Sequence, residues 1–322
     1  MPKTEFAILG AGAIGSILGA HLVRAGHSVV MLARERRAAQ IQREGLRIKG
    51  LIEFSVPVQT IIDASQLRGA DVLIVAMKTS GTAAALKPLR HAEIGVAFSI
   101  QNGLLKNEQL AAAFGTDRVL GSLANTSGEL LPSGEVLFTR NVNLLVGELA
   151  GGASSRAQQI AGTIDAAGVR ATAVPDILSR EWSKFAAWAG FMVLSISTRA
   201  VTWKYLVDPD SALLLARLVR EVGTLAKACG VQLTDQSLLP VASMCRGSEQ
   251  EAVEVVMQAG REFMTDAPDH RMSSLQDLEA GRPLEVEETL GYAVLKAAEH
   301  KLALPLLDAF HHLASSIDRT RP

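Results

Sequence analysis

Short apolar runs alternate with helical patterns through the first half of the chain. The stretches "EFAILG" (5–10), "SVVMLA" (28–33), "DVLIVA" (71–76) and "VAFSI" (96–100) are rich in valine, isoleucine and leucine and end at turn residues, as strands do. Between them, residues 13–25, 35–44, 80–90 and 106–114 carry helical patterns. Near-continuous apolar strands separated by helices predict a parallel sheet covered on both faces. Residues 118–148 read as strands joined by Gly/Pro/Ser turns, and a helix over 154–167 with the strand "VRATAV" closes this half near Pro175. Beyond Pro175 the β signals vanish. Residues 211–229, 248–264 and 285–300 space apolar positions three and four apart, the spacing of one helix face. The pattern therefore predicts an α/β domain with a doubly wound parallel sheet over 1–175, then an all-helical domain over 176–322.

Composition narrows the class. A chain of 322 residues with 48% apolar and 20% charged residues is globular and suits two domains. A net charge of -1 argues against a nucleic-acid partner or a polybasic membrane surface. Two cysteines, Cys229 and Cys245, and seven histidines without an HExxH pattern suggest no disulfide framework and no metal site, and favour a reducing cytoplasm. Lys3 and the apolar run behind it resemble a signal peptide, but Gly10, Gly12, Gly15 and Gly19 make a poor apolar helix. The other long apolar run, Phe185 to Ile196, is shorter than the roughly 18 residues of a membrane span.

The glycines have a better explanation. Gly10, Gly12 and Gly15 form G-x-G-x-x-G directly after a strand and at the start of a helix. There the first glycine permits the turn, the second lets backbone approach a pyrophosphate, and the third lets helix and strand pack closely. The amides of Ala13 and Ile14 open the helix, whose N-terminus attracts an anion. This is the fingerprint of a Rossmann-type dinucleotide site. Strand two ends in "ARERR", offering Arg34, Arg36 and Arg37 against the single acid Glu35. A guanidinium suits a 2′-phosphate, which favours NADP(H) over NAD(H). The remainder of 35–44 reads as a solvated helix face. Two further strand ends, Lys78–Thr79 and Gln101–Asn102–Gly103, should reach the same crevice, because ligands bind outside the carboxyl ends of parallel strands.

Taken in order, the "GAGAIG" loop, Arg34, "MKT", "IQNGL", "EWSKF" and "SSLQDLEAGRPLEVE" resemble the ketopantoate reductase (2-dehydropantoate 2-reductase) family over nearly the whole chain. The resemblance implies a Rossmann domain, a helical domain and NADPH-dependent reduction of a 2-oxo acid, as in pantothenate biosynthesis. It implies that Lys184 is the general acid, that Glu285 bonds cofactor and helps hold the lysine, and that Lys78 lies near the cofactor. Asn102 is implied at the cofactor–substrate junction, with Gln101 beside it, and Ser273 at the substrate carboxylate. A developing alkoxide needs a nearby cation or proton donor, and a partly desolvated ammonium supplies both.

One departure stands out. The family carries asparagines four and eight residues after the lysine, where this chain has Trp188 and Met192. Residues spaced this way share a helix face with Lys184. Either the two are core, or they line the substrate pocket and select an acid with a more apolar or aromatic side chain, as in D-mandelate-type 2-hydroxyacid dehydrogenases. Two other readings remain: an imine or opine-type NADPH reductase, and a non-catalytic NADPH-binding sensor. Apolar faces on 211–229 and 285–300 also suggest a homodimer.

Overall fold

The computed structural model describes residues 4–321, so Lys3 lies outside the described residues. The chain forms two compact units. One runs to Asn102 and resumes over Lys106–Ile177, and the other joins Gly103–Leu105 to the chain from Leu178 onward.

The first unit contains β1 (Thr4–Leu9), α1 (Ala13–Arg24), β2 (Val29–Leu32), α2 (Glu35–Glu44), β3 (Leu46–Gly50), β4 (Phe54–Val56) and β5 (Gln59–Ile61). It continues through β6 (Gly69–Val75), α3 (Thr82–Leu86), β7 (Glu93–Ser99), α4 (Leu105–Phe114), β8 (Leu120–Leu130), β9 (Val136–Glu148), α5 (Ser155–Ala166) and β10 (Ala171–Ala173). Five parallel strands form one sheet in the order β5-β2-β1-β6-β7. Alternate residues of its strands enter different cores. Ile8, Met31, Ile74 and Phe98 pack in one, and Ala7, Val30, Leu73 and Ala97 in the other, which is the double burial that continuous apolar strands require. The order reverses at β1, whose neighbours are β2 and β6.

The strands expected over 118–148 and in "VRATAV" form a second sheet, joined by two strands the pattern did not show. It runs β10-β9-β3-β4, with β8 antiparallel to β9. Its strands β3 and β4, like the sheet-edge strand β5, come from residues 46–61, short segments that are only partly buried and therefore show no continuous apolar run. Helix 80–90 is also shorter than the pattern suggests. α3 stops at Leu86 and a 3-10 turn over Lys87–Leu89 follows, because Pro88 cannot donate the next helical hydrogen bond.

The second unit is helical: α6 (Ile177–Thr198), α7 (Thr202–Leu206), α8 (Pro209–Ala228), α9 (Val241–Arg246), α10 (Glu249–Asp266), α11 (Ser273–Glu279), α12 (Tyr292–Glu299) and α13 (Pro305–Arg319). A π turn over Glu287–Gly291 precedes α12. α6 shares one core with α8: Phe185, Ala186, Ala189 and Val193 cluster with Leu215, Leu218, Val219 and Val222, and Leu215 and Leu218 lie against Gly190. Each fully buried leucine or valine contributes roughly 1.5–3 kcal/mol. Glu221 of α8 accepts the amides of Leu306 and Leu307 at 3.1 and 2.8 Å, capping α13 from a neighbouring helix. Among the described residues no helix is long and apolar enough to cross a membrane.

Candidate active site

The glycines of the loop after β1 do different things. Gly10 has φ +113, and a Cβ on it would lie 2.7 Å from the Met77 nitrogen, so turn geometry alone demands glycine. A Cβ on Gly15 would strike the Gly10 carbonyl oxygen, so close packing of α1 on β1 demands it there. Gly12 is different. Its φ is -73°, and the nearest atom to a Cβ would be the Ala76 oxygen at 4.0 Å. The protein itself leaves room for a side chain at Gly12, and a pyrophosphate approaching the backbone would fill that room. Gly12 also caps α1 without a side chain, and the first turn carries no acid. The helix-opening amides, Ala13 and Ile14 among them, therefore have no intrahelical acceptor and suit an anion from outside.

Arg34 is exposed and caps α2 at the end of β2, with Glu35 and Arg36 exposed beyond it. Arg37 departs from the solvated face expected of this helix. Its Nε donates to the Ala11 carbonyl at 3.1 Å, its Nη1 to Gly134 O at 2.8 Å and Gln40 Oε1 at 3.0 Å, and its Nη2 to Ser16 Oγ at 3.1 Å. Burial lowers the pKa of its guanidinium below the ordinary value, with the charge of Glu44 opposing. One arginine thus ties the glycine loop to α2 and to the β8–β9 turn, leaving Arg34 and Arg36 at the surface.

The carboxyl ends of β6 and β7 carry Lys78, exposed, and Asn102, half-buried. Gln101 is 6% exposed and its side chain is committed internally. Nε2 donates to Lys78 O at 3.1 Å and Thr82 Oγ1 at 2.8 Å, while Oε1 accepts from Ser99 Oγ at 2.8 Å. Gln101 therefore fastens the Lys78 turn to the Asn102 turn.

In the helical unit, Lys184, Trp188 and Met192 fall on one face of α6, as their spacing implies. Exposure declines along this stripe. Lys184 is half-buried, whereas Trp188 is 9% and Met192 1% exposed, both within the helical core. Trp188 packs beside Phe185 with ring centroids 6.3 Å apart. One turn beyond Met192, Ser195 Oγ donates to the Met192 carbonyl at 2.8 Å and lies 3.1 Å from Ser274 Oγ. Since Ser195 has a single hydroxyl proton, Ser274 is the donor between them. This bond fixes the first turn of α11 on α6, where Ser273 is exposed and Ser274 buried.

Glu285 is half-buried and stands just before the π turn, and its carbonyl accepts the Thr289 hydroxyl. A π turn inside a helix is a common mark of a functional segment. Two neighbouring carboxyls shift in opposite directions. Burial raises Glu288, with the charges of Glu285 and Glu287 adding to it. Burial also opposes ionisation of Glu287, but hydrogen bonds from His311 and Ser315 outweigh it and lower that group.

The predicted residues thus fall into two sets. Gly10, Gly12, Gly15, Arg34, Lys78, Gln101 and Asn102 gather at the carboxyl ends of β1, β2, β6 and β7. Lys184, Ser273 and Glu285 sit on three separate segments of the helical unit. Ser195, Thr82 and Ser99, and the bracing roles of Arg37 and Ser274, escape sequence reading, because nothing in the local pattern marks them. Among the described residues no group of three or more His, Cys, Asp or Glu is placed to hold a metal ion.

The comparisons bear on the whole chain. Residues 6–151 match the family described as ketopantoate reductase PanE/ApbA, and residues 176–318 match its C-terminal counterpart. A 2-dehydropantoate 2-reductase of Archaeoglobus fulgidus is 31% identical over 292 residues, covering 91% of this chain and 90% of that protein. A PanE/ApbA family ketopantoate reductase from Ralstonia eutropha superimposes with a TM-score of 0.82 at 24% identity, covering 98% of each chain. D-mandelate dehydrogenase, solved in complex with NADH, superimposes at 0.83 with 17% identity, covering 99% of this chain and 100% of that one. These two likenesses show a shared fold.

Proposed function

The chain belongs to the ketopantoate reductase family, and from that premise we propose that it is an NADPH-dependent oxidoreductase reducing a 2-oxo acid to a 2-hydroxy acid, in the manner of 2-dehydropantoate to pantoate. The observation that carries this reading is Gly12, a glycine no contact within the protein requires, at the head of a helix whose first amides await an anion.

NADPH, when bound, supplies the hydride. The amides at Gly12, Ala13 and Ile14 would hold the pyrophosphate, and Arg34 would hold the 2′-phosphate. Lys78 and Asn102 line the strand ends that follow. Lys184 would give its proton to the substrate's carbonyl oxygen. By family likeness Glu285 would help hold Lys184, and Ser273 would bond the substrate carboxylate.

A bulkier, more apolar 2-oxo acid is the second reading. It is favoured by Trp188, one turn from Lys184 on the same helix face and less enclosed than Met192, at 9% against 1% exposed. Met192, fully enclosed, supports packing instead. NADPH consumption measured with ketopantoate beside aliphatic and aromatic 2-oxo acids separates these cases. Preference for ketopantoate makes Trp188 and Met192 packing residues; preference for an aromatic acid makes Trp188 a pocket wall. Turnover only with an added amine supports an imine reductase, and tight NADPH binding without turnover supports a sensor. A homodimer belongs to the same reading, supported by exposed Leu214 on α8 and Leu295 on α12, and sedimentation of the purified protein tests it.

A further inference from the structure

We propose that Lys106 is a positioning residue for the end of the cofactor site farthest from Arg34, a role that rests on the NADPH-dependent reading above. Its side chain is 5% exposed, in the first turn of α4, where the helix dipole disfavours a cation. Burying an ammonium is costly unless its protons are satisfied. Here Nζ donates to the Gln101 carbonyl at 3.0 Å and to the Ser122 carbonyl on β8.

The consequence follows from peptide geometry. In a trans peptide the carbonyl and the following amide point in opposite directions. By drawing the Gln101 carbonyl inward, Lys106 turns the Asn102 amide the other way and fixes the plane from which the Asn102 side chain departs. The remainder of the network transmits this constraint. Ser122 Oγ donates to Ser99 O at 2.7 Å, Ser99 Oγ to Gln101 Oε1 at 2.8 Å, and Gln101 Nε2 to Lys78 O at 3.1 Å. Thr82 Oγ1, which accepts from Gln101 at 2.8 Å, donates to Thr79 O at 2.7 Å. A single buried cation therefore sets both strand-end turns, after β6 and after β7.

Strand order says which part of the ligand would be affected. β2, bearing Arg34, and β1, bearing the glycine loop, lie to one side, with β6 and β7 following in sequence. A dinucleotide laid across these ends, with its 2′-phosphate on Arg34, places its nicotinamide half over the Lys78 and Asn102 turns. Lys106 should matter to that half and not to the adenosine half.

Two ligands separate the halves: NADPH, followed by fluorescence, and adenosine 2′,5′-bisphosphate, followed by calorimetry. The variants are Lys106→Met, which removes the ammonium, and Lys106→Gln, which retains a neutral donor. Loss of a charge-assisted brace should weaken NADPH by about tenfold in Lys106→Met, with Lys106→Gln intermediate, while the bisphosphate changes by less than about twofold in both. If Lys106→Met does not fold, the divergence of the two ligands in Lys106→Gln carries the test alone. Unchanged NADPH affinity overturns the proposal, and so does an equal loss for both ligands, which would make Lys106 a general support of the fold. Wild-type protein that binds neither ligand instead overturns the cofactor reading, and the role of Lys106 with it.

Discussion

At the end of β1 the chain offers backbone. Three glycines withdraw their side chains, and two of the three are required by turn geometry or packing while the third, Gly12, is left open. In the middle of α6 it offers a single side chain, Lys184, half-buried at the head of a stripe that closes into a fully packed core at Met192. On the proposed reading, the first region would make a site by absence and the second by exception. A site made by absence tolerates little addition but asks nothing of its distant neighbours. A site made by exception depends on everything that packs around it.

Removing the exception should have the largest effect. Lys184→Met is expected to lower kcat by about 10²–10⁴-fold, the range for loss of a positioned acid, with NADPH affinity retained. Equal turnover in wild type and variant would refute its role. Next comes a pair of alanines three residues apart. Gly12→Ala should weaken NADPH by roughly tenfold or more with Tm shifted by less than about 2 °C, because the Cβ has room in the protein alone. Gly15→Ala should instead cost about 1–3 kcal/mol of stability with or without cofactor, because it overpacks the turn. Matching thermal and binding profiles for the two variants would erase the distinction drawn between these glycines.

A smaller effect is expected at Ser195. Replacing it with alanine leaves the buried Ser274 hydroxyl without its acceptor, a loss of about 1–3 kcal/mol. It should also raise KM for the acid more than it lowers kcat, since Ser273 would lose its anchor on α6. Denaturant titration and steady-state kinetics check both.

The smallest effect concerns His21, a buried residue of α1 whose rings of contact are Phe54 and Phe138. Burial depresses its pKa, the hydrogen bond to the Ala167 carbonyl opposing and the charge of Arg24 adding. The unfolded chain therefore binds this proton more readily, so stability is full above the ordinary histidine value of about 6.5 and declines as pH falls through the lower folded value. Comparing unfolding midpoints of wild type and His21→Leu across that range should show a weaker pH dependence in the variant.

How much of this was legible in the sequence divides along the same line. The parallel sheet, the glycine loop, Arg34 and the strand ends at Lys78 and Asn102 were readable because each depends on neighbours within a few residues. Segments 46–61, which supply β3, β4 and β5, were not, because strands of three to five residues are too short for their alternation to stand out. The π turn at Glu287–Gly291 was invisible for a related reason: its apolar spacing still reads as helix. Among side chains, Lys184 is singled out by family likeness alone, whereas Lys106, Ser195 and the bracing role of Arg37 were missed because their partners lie elsewhere in the chain. Lys106 reads as an ordinary helix-start lysine until β8 is folded beside it.

Arg37 carries this furthest. Its guanidinium joins Ala11, Ser16 and Gly134, segments separated by more than a hundred positions of chain. The dinucleotide fingerprint is complete as text by Gly15, but its brace is complete only when the β8–β9 turn has been synthesised and has folded back. During synthesis, then, the loop exists long before it is held, and the protein gains a finished cofactor cradle only after its mixed sheet begins to close. Birth order and assembly order diverge here, and one arginine sets the interval between them.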